Sequence, residues 1–323
     1  MATASFGTTG IARLRDGRCI TFAAVGPIDG FPVVYCHGAI GSPRWWTPEL
    51  DALTQRLRVR YLVVNRPGFG GSDPCPGRTV ADFASDLGEL MDLLGHGRFS
   101  VVGVSAGAPY AIACAWALPD RIAALAAVSP LGPPDGAGSS ASLRYRVPLI
   151  PFGASRSGPI LAGLCLRALR LGCQQTAPEA MIDDYVVCRR HWGFDPAEIR
   201  VPVIVWHGRG DRLVPLAHTL SLAAAIPMST AYVEPAAGHF FYSHRLTEIV
   251  EALVPRARQC LAEVTAGSPN ASASASRRWP PGAGRDTRLR SASPRWAARR
   301  PPAIRWRSVR RNSDLRASRR TLR

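Results

Sequence analysis

Three side chains suited to acyl transfer stand far apart in this chain, each just past an apolar run. Ser105 lies in VVGVSAGA (101–108), Asp211 ends WHGRGD (206–211), and His239 lies in AGHF (237–240). An alcohol at its ordinary pKa is a poor nucleophile. It needs a base to take its proton, and an imidazole base needs a third group to hold its tautomer. VVGV reads as the end of a buried strand and APYAIACAWAL as the start of a helix, so Ser105 occupies the turn between them. A turn that tight crowds its neighbours; Gly103 and Gly107 relieve the crowding, and the hydroxyl is pushed into the open above a helix N-terminus. The bland alternative is a serine that only caps that helix.

The other six histidines suit the base's role less well. His37 precedes a glycine in a loop, His96 sits in a turn, His207 ends a strand as a buried hydrogen-bonded partner, and His191, His218 and His244 fall on expected helices. For the acid, Asp135 also lies beyond a strand end, after IAALAAVSP, and competes with Asp211. The oxyanion of a tetrahedral intermediate needs donors aimed at it. The candidates are the backbone N–H of Ala106 and that of Ala39, in the loop HGAIGS (37–42) after an apolar run. Gly38, Phe69 from NRPGFGGSDP (65–74), and Trp192 are candidate pocket residues. Against this, the 65–74 loop serves equally as a rigid structural turn, and Trp192 and Phe194 as packing.

These residues need a frame. Residues 11–15 and 19–25 flank Asp16-Gly17 and read as a hairpin. Phe31–Cys36, Arg58–Val64, Phe99–Val104, Ile122–Val128 and Val201–Trp206 are near-continuous apolar runs, as expected of strands covered on both faces of a parallel sheet, and TAYVEP (230–235) is a last short strand. Helical periods fall at about 43–56, 79–94, 106–118, 216–225 and 242–264. Alternating strand and helix predicts a doubly wound α/β sheet with right-handed crossovers. From 132 to 200 the alternation stops: a Gly/Pro-rich entry leads to helices near 157–171 and 178–192. Such an insertion suits a small helical cap over the carboxyl ends of the strands, where open α/β sheets bind ligands; a separate domain packed elsewhere is the alternative. The organisation expected is therefore a core in two parts, 1–131 and 201–266, a cap at 132–200, and a tail at 267–323.

Charge sorts the same way. The chain has 323 residues, 40 basic and 23 acidic, for a formal net charge of +17, and every basic residue is arginine. The 267–323 segment holds 16 Arg, two Asp and no Glu, so it carries +14 of that charge and leaves about +3 on the rest. It lacks any apolar period and reads as disordered. Its arginines fit non-specific contact with polyanions, not a specific nucleic-acid site in the globular part. Eight scattered cysteines form no CxxC and no Cys/His cluster at zinc spacing, so no metal is expected. The N-terminus lacks an apolar targeting segment, and no run approaches 18 apolar residues, which predicts a cytoplasmic protein that does not span a membrane. Oligomeric state is left open.

With HGAIGS, NRPGFGGSDP, GVSAG, HGRGD and AGHF in this order and spacing, residues from about 10 to 264 resemble the α/β-hydrolase fold superfamily, in particular its compact bacterial members with a helical cap. The resemblance implies a mostly parallel sheet of about eight strands, a Ser–His–Asp triad in the chain order Ser, Asp, His, no cofactor, and a site roofed by the cap. Members with an aspartate at the elbow are epoxide hydrolases and haloalkane dehalogenases; Ser105 argues against both. Ala108 stands where a further glycine is common, and the Arg-rich tail has no counterpart. The expected function is a serine hydrolase acting on a carboxylic ester or related acyl compound, with a small, apolar substrate. Lactonase, thioesterase, carbon–carbon bond hydrolase, acyltransferase and cofactor-free perhydrolase chemistries share these residues and remain alternatives. A binding protein without catalysis, or a tail that tethers nucleic acid, are the readings from other classes.

Overall fold

A computed structural model of the chain describes residues 8–39, 47–134 and 178–266. The expected tail at 267–323, the helix near 157–171, Asp135 and residues 40–42 of the candidate oxyanion loop lie outside the described residues.

Eight strands make one sheet: β1 (Thr8–Arg13), β2 (Cys19–Val25), β3 (Phe31–Cys36), β4 (Val59–Val64), β5 (Phe99–Val104), β6 (Ile122–Val128), β7 (Val203–Gly208) and β8 (Ser229–Glu234). Their spatial order is β1-β2-β4-β3-β5-β6-β7-β8. The first hairpin is antiparallel and joins β4 antiparallel; every pairing from β4 to β8 is parallel. Six helices are described: α1 (Pro48–Leu57), α2 (Asp82–Leu93), α3 (Ala108–Ala117), α4 (Pro178–Arg189), α5 (Leu216–Ala225) and α6 (Tyr242–Ala266).

The central strands β3, β5 and β6 are nearly continuous apolar runs because both of their faces are covered, whereas the edge strand β1 (TTGIAR) is largely exposed. Alternate residues of a strand point to opposite faces, and the core divides accordingly. Val34, Leu62, Val101, Leu125 and Val203 pack in one cluster with Phe83 and Leu87 of α2, Ile112 of α3 and Leu222 of α5. Val33, Tyr61, Val102, Ala124 and Ile204 pack on the other face with Leu50 and Leu53 of α1 and Ile249 and Leu253 of α6. Each fully buried side chain of this kind contributes roughly 1.5–3 kcal/mol.

Local signals set the element ends. Thr47 caps α1 by accepting the Leu50 N–H at 3.2 Å, Pro48 follows at the first turn, and Arg58 closes the helix in the left-handed region at φ 49°. β7 begins two residues later than the apolar run 201–206 suggests and runs on to Gly208. Pro202 has no N–H to give a central ladder, although its carbonyl still accepts the Leu125 N–H at 2.9 Å. Of the 132–200 interval, the described part beyond Pro134 comprises α4 and a 3-10 turn at Pro196–Glu198. Among the described residues no helix is long and apolar enough to cross a membrane.

Candidate active site

β5 delivers Ser105 straight from its last residue, Val104, into a 3-10 turn (Ser105–Gly107) that continues as α3. Ser105 stands at φ 53°, a backbone conformation that a residue with a Cβ adopts only at a cost. Two glycines make the turn possible. A Cβ at Gly103 would lie 2.5 Å from the Ala111 Cβ and 2.8 Å from the Ala108 Cα, and one at Gly107 would lie 2.3 Å from the Cys36 carbonyl oxygen. The turn is therefore wedged between its own helix and the end of β3.

The register of the sheet brings the partners to the same edge. β5, β6 and β7 end side by side, with Val104 opposite Val128 and Val128 opposite Trp206, and β8 ends beside β7, with Glu234 opposite Gly208. Backbone bonds then tie the two loops beyond β7 and β8: Arg209 N–H donates to the Glu234 carbonyl and Gly210 N–H to the Ala237 carbonyl, both at 2.8 Å. Asp211 and His239 are carried on these two loops. His239 Nε2 lies 3.0 Å from Ser105 Oγ, and His239 Nδ1 lies 2.7 Å from Asp211 Oδ2. Residues 134 and 28 positions apart in the chain are thus joined in one hydrogen-bonded line.

The carboxylate is held on its other side as well. Asp211 Oδ1 accepts the N–H groups of Leu213 and Val214 at 2.8 and 2.9 Å. Burial pushes this carboxyl up, but the His239 ring and these N–H donors outweigh it and leave Asp211 below its usual range, ionised at neutral pH. His207 lies behind it, its Nε2 3.5 Å from Asp211 Oδ2. Its Nε2–H donates to the Val214 carbonyl at 3.1 Å and its Nδ1 accepts the Thr219 hydroxyl at 2.8 Å. Burial pushes His207 down to about 4, so it is neutral and backs the acid loop.

The loop after β3 passes against the serine. A Cβ at Gly38 would lie 3.5 Å from Ser105 Cβ and 3.9 Å from the Tyr242 hydroxyl. Ala39 follows, packed near Phe69 and Met181, and Ala106, directly after Ser105, is buried. Of the other candidate pocket residues, Phe69 is fully buried, tilted over the His37 ring at 4.9 Å, and Arg66 covers its face at 5.0 Å. Trp192 is also buried: it packs on Phe194, which stacks on Trp116, and its indole N–H donates to the Cys188 carbonyl at 3.3 Å. Phe69 and Trp192 thus have packing partners that account for their burial.

Several neighbours of the site were not legible as such. Phe240, half exposed, meets the His239 ring edge-on at 5.0 Å, and Tyr242 does so at 6.1 Å. The thiol of Cys188, on α4, donates to the Ala106 carbonyl at 3.5 Å. The place of Phe240 inside AGHF, next to His239, is the one available signal; nothing in the sequence marks Cys188. Among the described residues, no group of three or more His, Cys, Asp or Glu side chains is arranged to hold a metal ion.

A mostly parallel, doubly wound sheet with a strained serine turn at the end of a central strand defines the α/β-hydrolase class. The family model for the alpha/beta hydrolase fold matches residues 32–155. A putative carbamate hydrolase RutD from Caulobacter sp. (strain K31) is 30% identical over 232 residues, covering 65% of this chain and 84% of that protein. A non-heme chloroperoxidase from Streptomyces lividans is 28% identical, with 67% and 87% covered. Among solved structures, the esterase RhEst1 from Rhodococcus sp. ECU1013 shares the fold, with a TM-score of 0.57 at 21% identity over 76% of this chain and 97% of that one. The chain belongs to the α/β-hydrolase superfamily and is a hydrolase.

Proposed function

We propose that this hydrolase cleaves a carboxylic ester or related acyl compound through an acyl-enzyme on Ser105. His239 Nε2 takes the serine proton as Oγ attacks the carbonyl carbon, and Asp211 holds the ring with its Nδ1–H toward the carboxylate. The resulting oxyanion is stabilised by the N–H groups of Ala39 and Ala106, and losing one such donor costs about 3 kcal/mol of transition-state stabilisation. Collapse expels the alcohol, which takes the proton from His239. A water then gives its proton to the same ring as it attacks the acyl carbon, and the acid leaves as Ser105 regains its hydrogen. The observation that carries this reading is that a single imidazole reaches the serine oxygen at 3.0 Å and a buried carboxylate at 2.7 Å.

The substrate is taken to be a small acyl compound with an apolar part. Phe240 beside His239 favours that choice, and the 132–200 interval is assigned as the cap over the site. A second reading is that the acyl compound is a carbamate, since the Caulobacter relative, 30% identical, is named a putative carbamate hydrolase. The same machinery serves, with an amine or ammonia in place of the alcohol. The chain is read as a cytoplasmic enzyme. A fluorophosphonate probe should label the Ser105 peptide, and a panel of p-nitrophenyl esters, lactones, thioesters and carbamates then ranks the substrate classes. Absence of any label on Ser105 would overturn the acyl-enzyme.

A further inference from the structure

Arg66 is the largest fully buried side chain among the described residues. It lies between the loop after β3 and α4. Its Nη2 and Nε donate to the two oxygens of Asp184 at 2.7 and 3.3 Å. Its Nη1 donates to the His37 carbonyl and its Nη2 reaches the Gly38 carbonyl at 3.4 Å. The rings of Phe69 and Tyr110 lie against the guanidinium at 5.0 and 4.9 Å. Asp184, on α4, is equally buried; it also accepts the Tyr110 hydroxyl at 2.7 Å and lies 3.5 Å from Arg78. Tyr110 belongs to α3, the helix that starts at the nucleophile turn. A buried ion pair is weak as a stabilising device, because apolar residues of similar volume often do as well or better. Its presence here asks for another reason.

The Gly38 carbonyl supplies one. It accepts from Arg66 and, at 2.7 Å, from His37 Nδ1–H. Burial and the Arg66 charge push His37 down to about 3, so the ring stays neutral, and its Nε2 accepts the Arg66 N–H at 3.5 Å. The Gly38–Ala39 peptide is trans, and in a trans peptide the C=O and N–H point in opposite directions. Holding the Gly38 oxygen toward Arg66 therefore turns the Ala39 N–H away from the buried ions. Gly38, the first residue of this peptide, lies beside Ser105, where an added Cβ would stand 3.5 Å from the Ser105 Cβ. Flipped, the peptide would present a carbonyl oxygen to the oxyanion instead of a donor.

We propose that Arg66 and Asp184 are positioning residues: they lock the Gly38–Ala39 peptide in its donor orientation, so that the oxyanion hole forms only while α4 sits against the core. The inference rests on the acyl-enzyme reading and names what organises its oxyanion hole. The test compares the parent with Asp184→Asn and with the double variant Arg66→Met/Asp184→Leu, which leaves no charge buried and covers the case in which the single variant does not fold. Far-ultraviolet circular dichroism checks folding. Two quantities are read: kcat and KM on a short p-nitrophenyl ester, and the affinity of an aryl trifluoromethyl ketone, whose carbonyl accepts Ser105 Oγ to give a tetrahedral adduct with its oxygen in the hole. The expected result is a kcat lower by about 30- to 300-fold, comparable to losing one oxyanion donor, a KM within about threefold, and ketone affinity weakened by the same factor as kcat/KM. Folded variants that keep kcat and ketone affinity within about threefold overturn the proposal. So does a loss confined to KM, which marks α4 as a substrate wall only. A parent that neither turns over esters nor binds the ketone overturns the acyl-enzyme reading and this inference with it, whereas an active parent with unaffected variants overturns the clamp alone.

Discussion

Asp211 Oδ2 lies 2.7 Å from His239 Nδ1, while Asp211 Oδ1 is fixed by the N–H groups of Leu213 and Val214 at 2.8 and 2.9 Å. The carboxylate cannot turn without losing backbone donors, so it dictates that His239 carries its proton on Nδ1 and presents a lone pair on Nε2 to Ser105. Asp211→Asn keeps the Oδ1 contacts but points an NH2 at Nδ1 and favours the opposite tautomer. The expected outcome is a kcat lower by about 10⁴ with the fold retained. Ester kinetics with a circular dichroism control check it; a loss under tenfold would show that the carboxylate is dispensable.

Much of this arrangement was legible before any coordinates. Buried parallel strands announce themselves as unbroken apolar runs, and β3, β5 and β6 fall at the expected residues. The serine turn was legible because a strand, two glycines and a helix leave little other geometry open, and φ 53° at Ser105 is that constraint made visible. The Arg66–Asp184 pair was not. One arginine among 40 basic residues looks like any other in the sequence, and its partner lies 118 residues away on a helix expected only as part of a cap insertion. Burial of charge depends on which elements meet, and pattern along one segment carries no trace of that. The late start of β7 followed from Pro202, a missing donor that an apolar count ignores.

Gly107→Ala tests the wedge at the Ser105 turn. The new Cβ would stand 2.3 and 2.4 Å from the carbonyl oxygens of Cys36 and His37, both rigid backbone. The turn must move away from β3, with a loss of about 1–3 kcal/mol in stability and a fall in activity larger than the stability loss explains. Urea unfolding and ester kinetics on the same preparation measure both; an unchanged midpoint and kcat would mean the turn has slack.

Acid should weaken the fold in a defined window. His207 and His37 are pushed by burial from 6.5 to about 4 and about 3. Their neutral forms are favoured in the folded state, so their contribution is complete above pH 6.5 and is lost as pH falls toward 4 and then 3, because the unfolded chain takes up protons that the fold refuses. His207→Gln should flatten the decline between pH 6.5 and 4 by up to about 1.4 kcal/mol per pH unit. Denaturant midpoints across that range check it; identical slopes would place the acid sensitivity elsewhere.

The candidate site, with its neighbours Phe240 and Tyr242, lies within residues 38–242, while most of the formal charge lies after residue 266. A chain ending at Ala266 should hydrolyse the same ester with kcat/KM within about twofold of the full chain and elute from heparin at lower salt, as expected when arginines that displace counterions are removed. A loss of turnover on truncation would give the tail a part in the reaction.

The decisive comparison is kcat/KM of Ser105→Ala against the full parent chain on the best ester or carbamate of the panel, at pH 7 and with circular dichroism to confirm the fold. On the acyl-enzyme proposal, removing the Ser105 oxygen that lies 3.0 Å from His239 Nε2 should leave a deficit of about 10⁶. Turnover within tenfold of the parent would mean that the reaction does not pass through this serine.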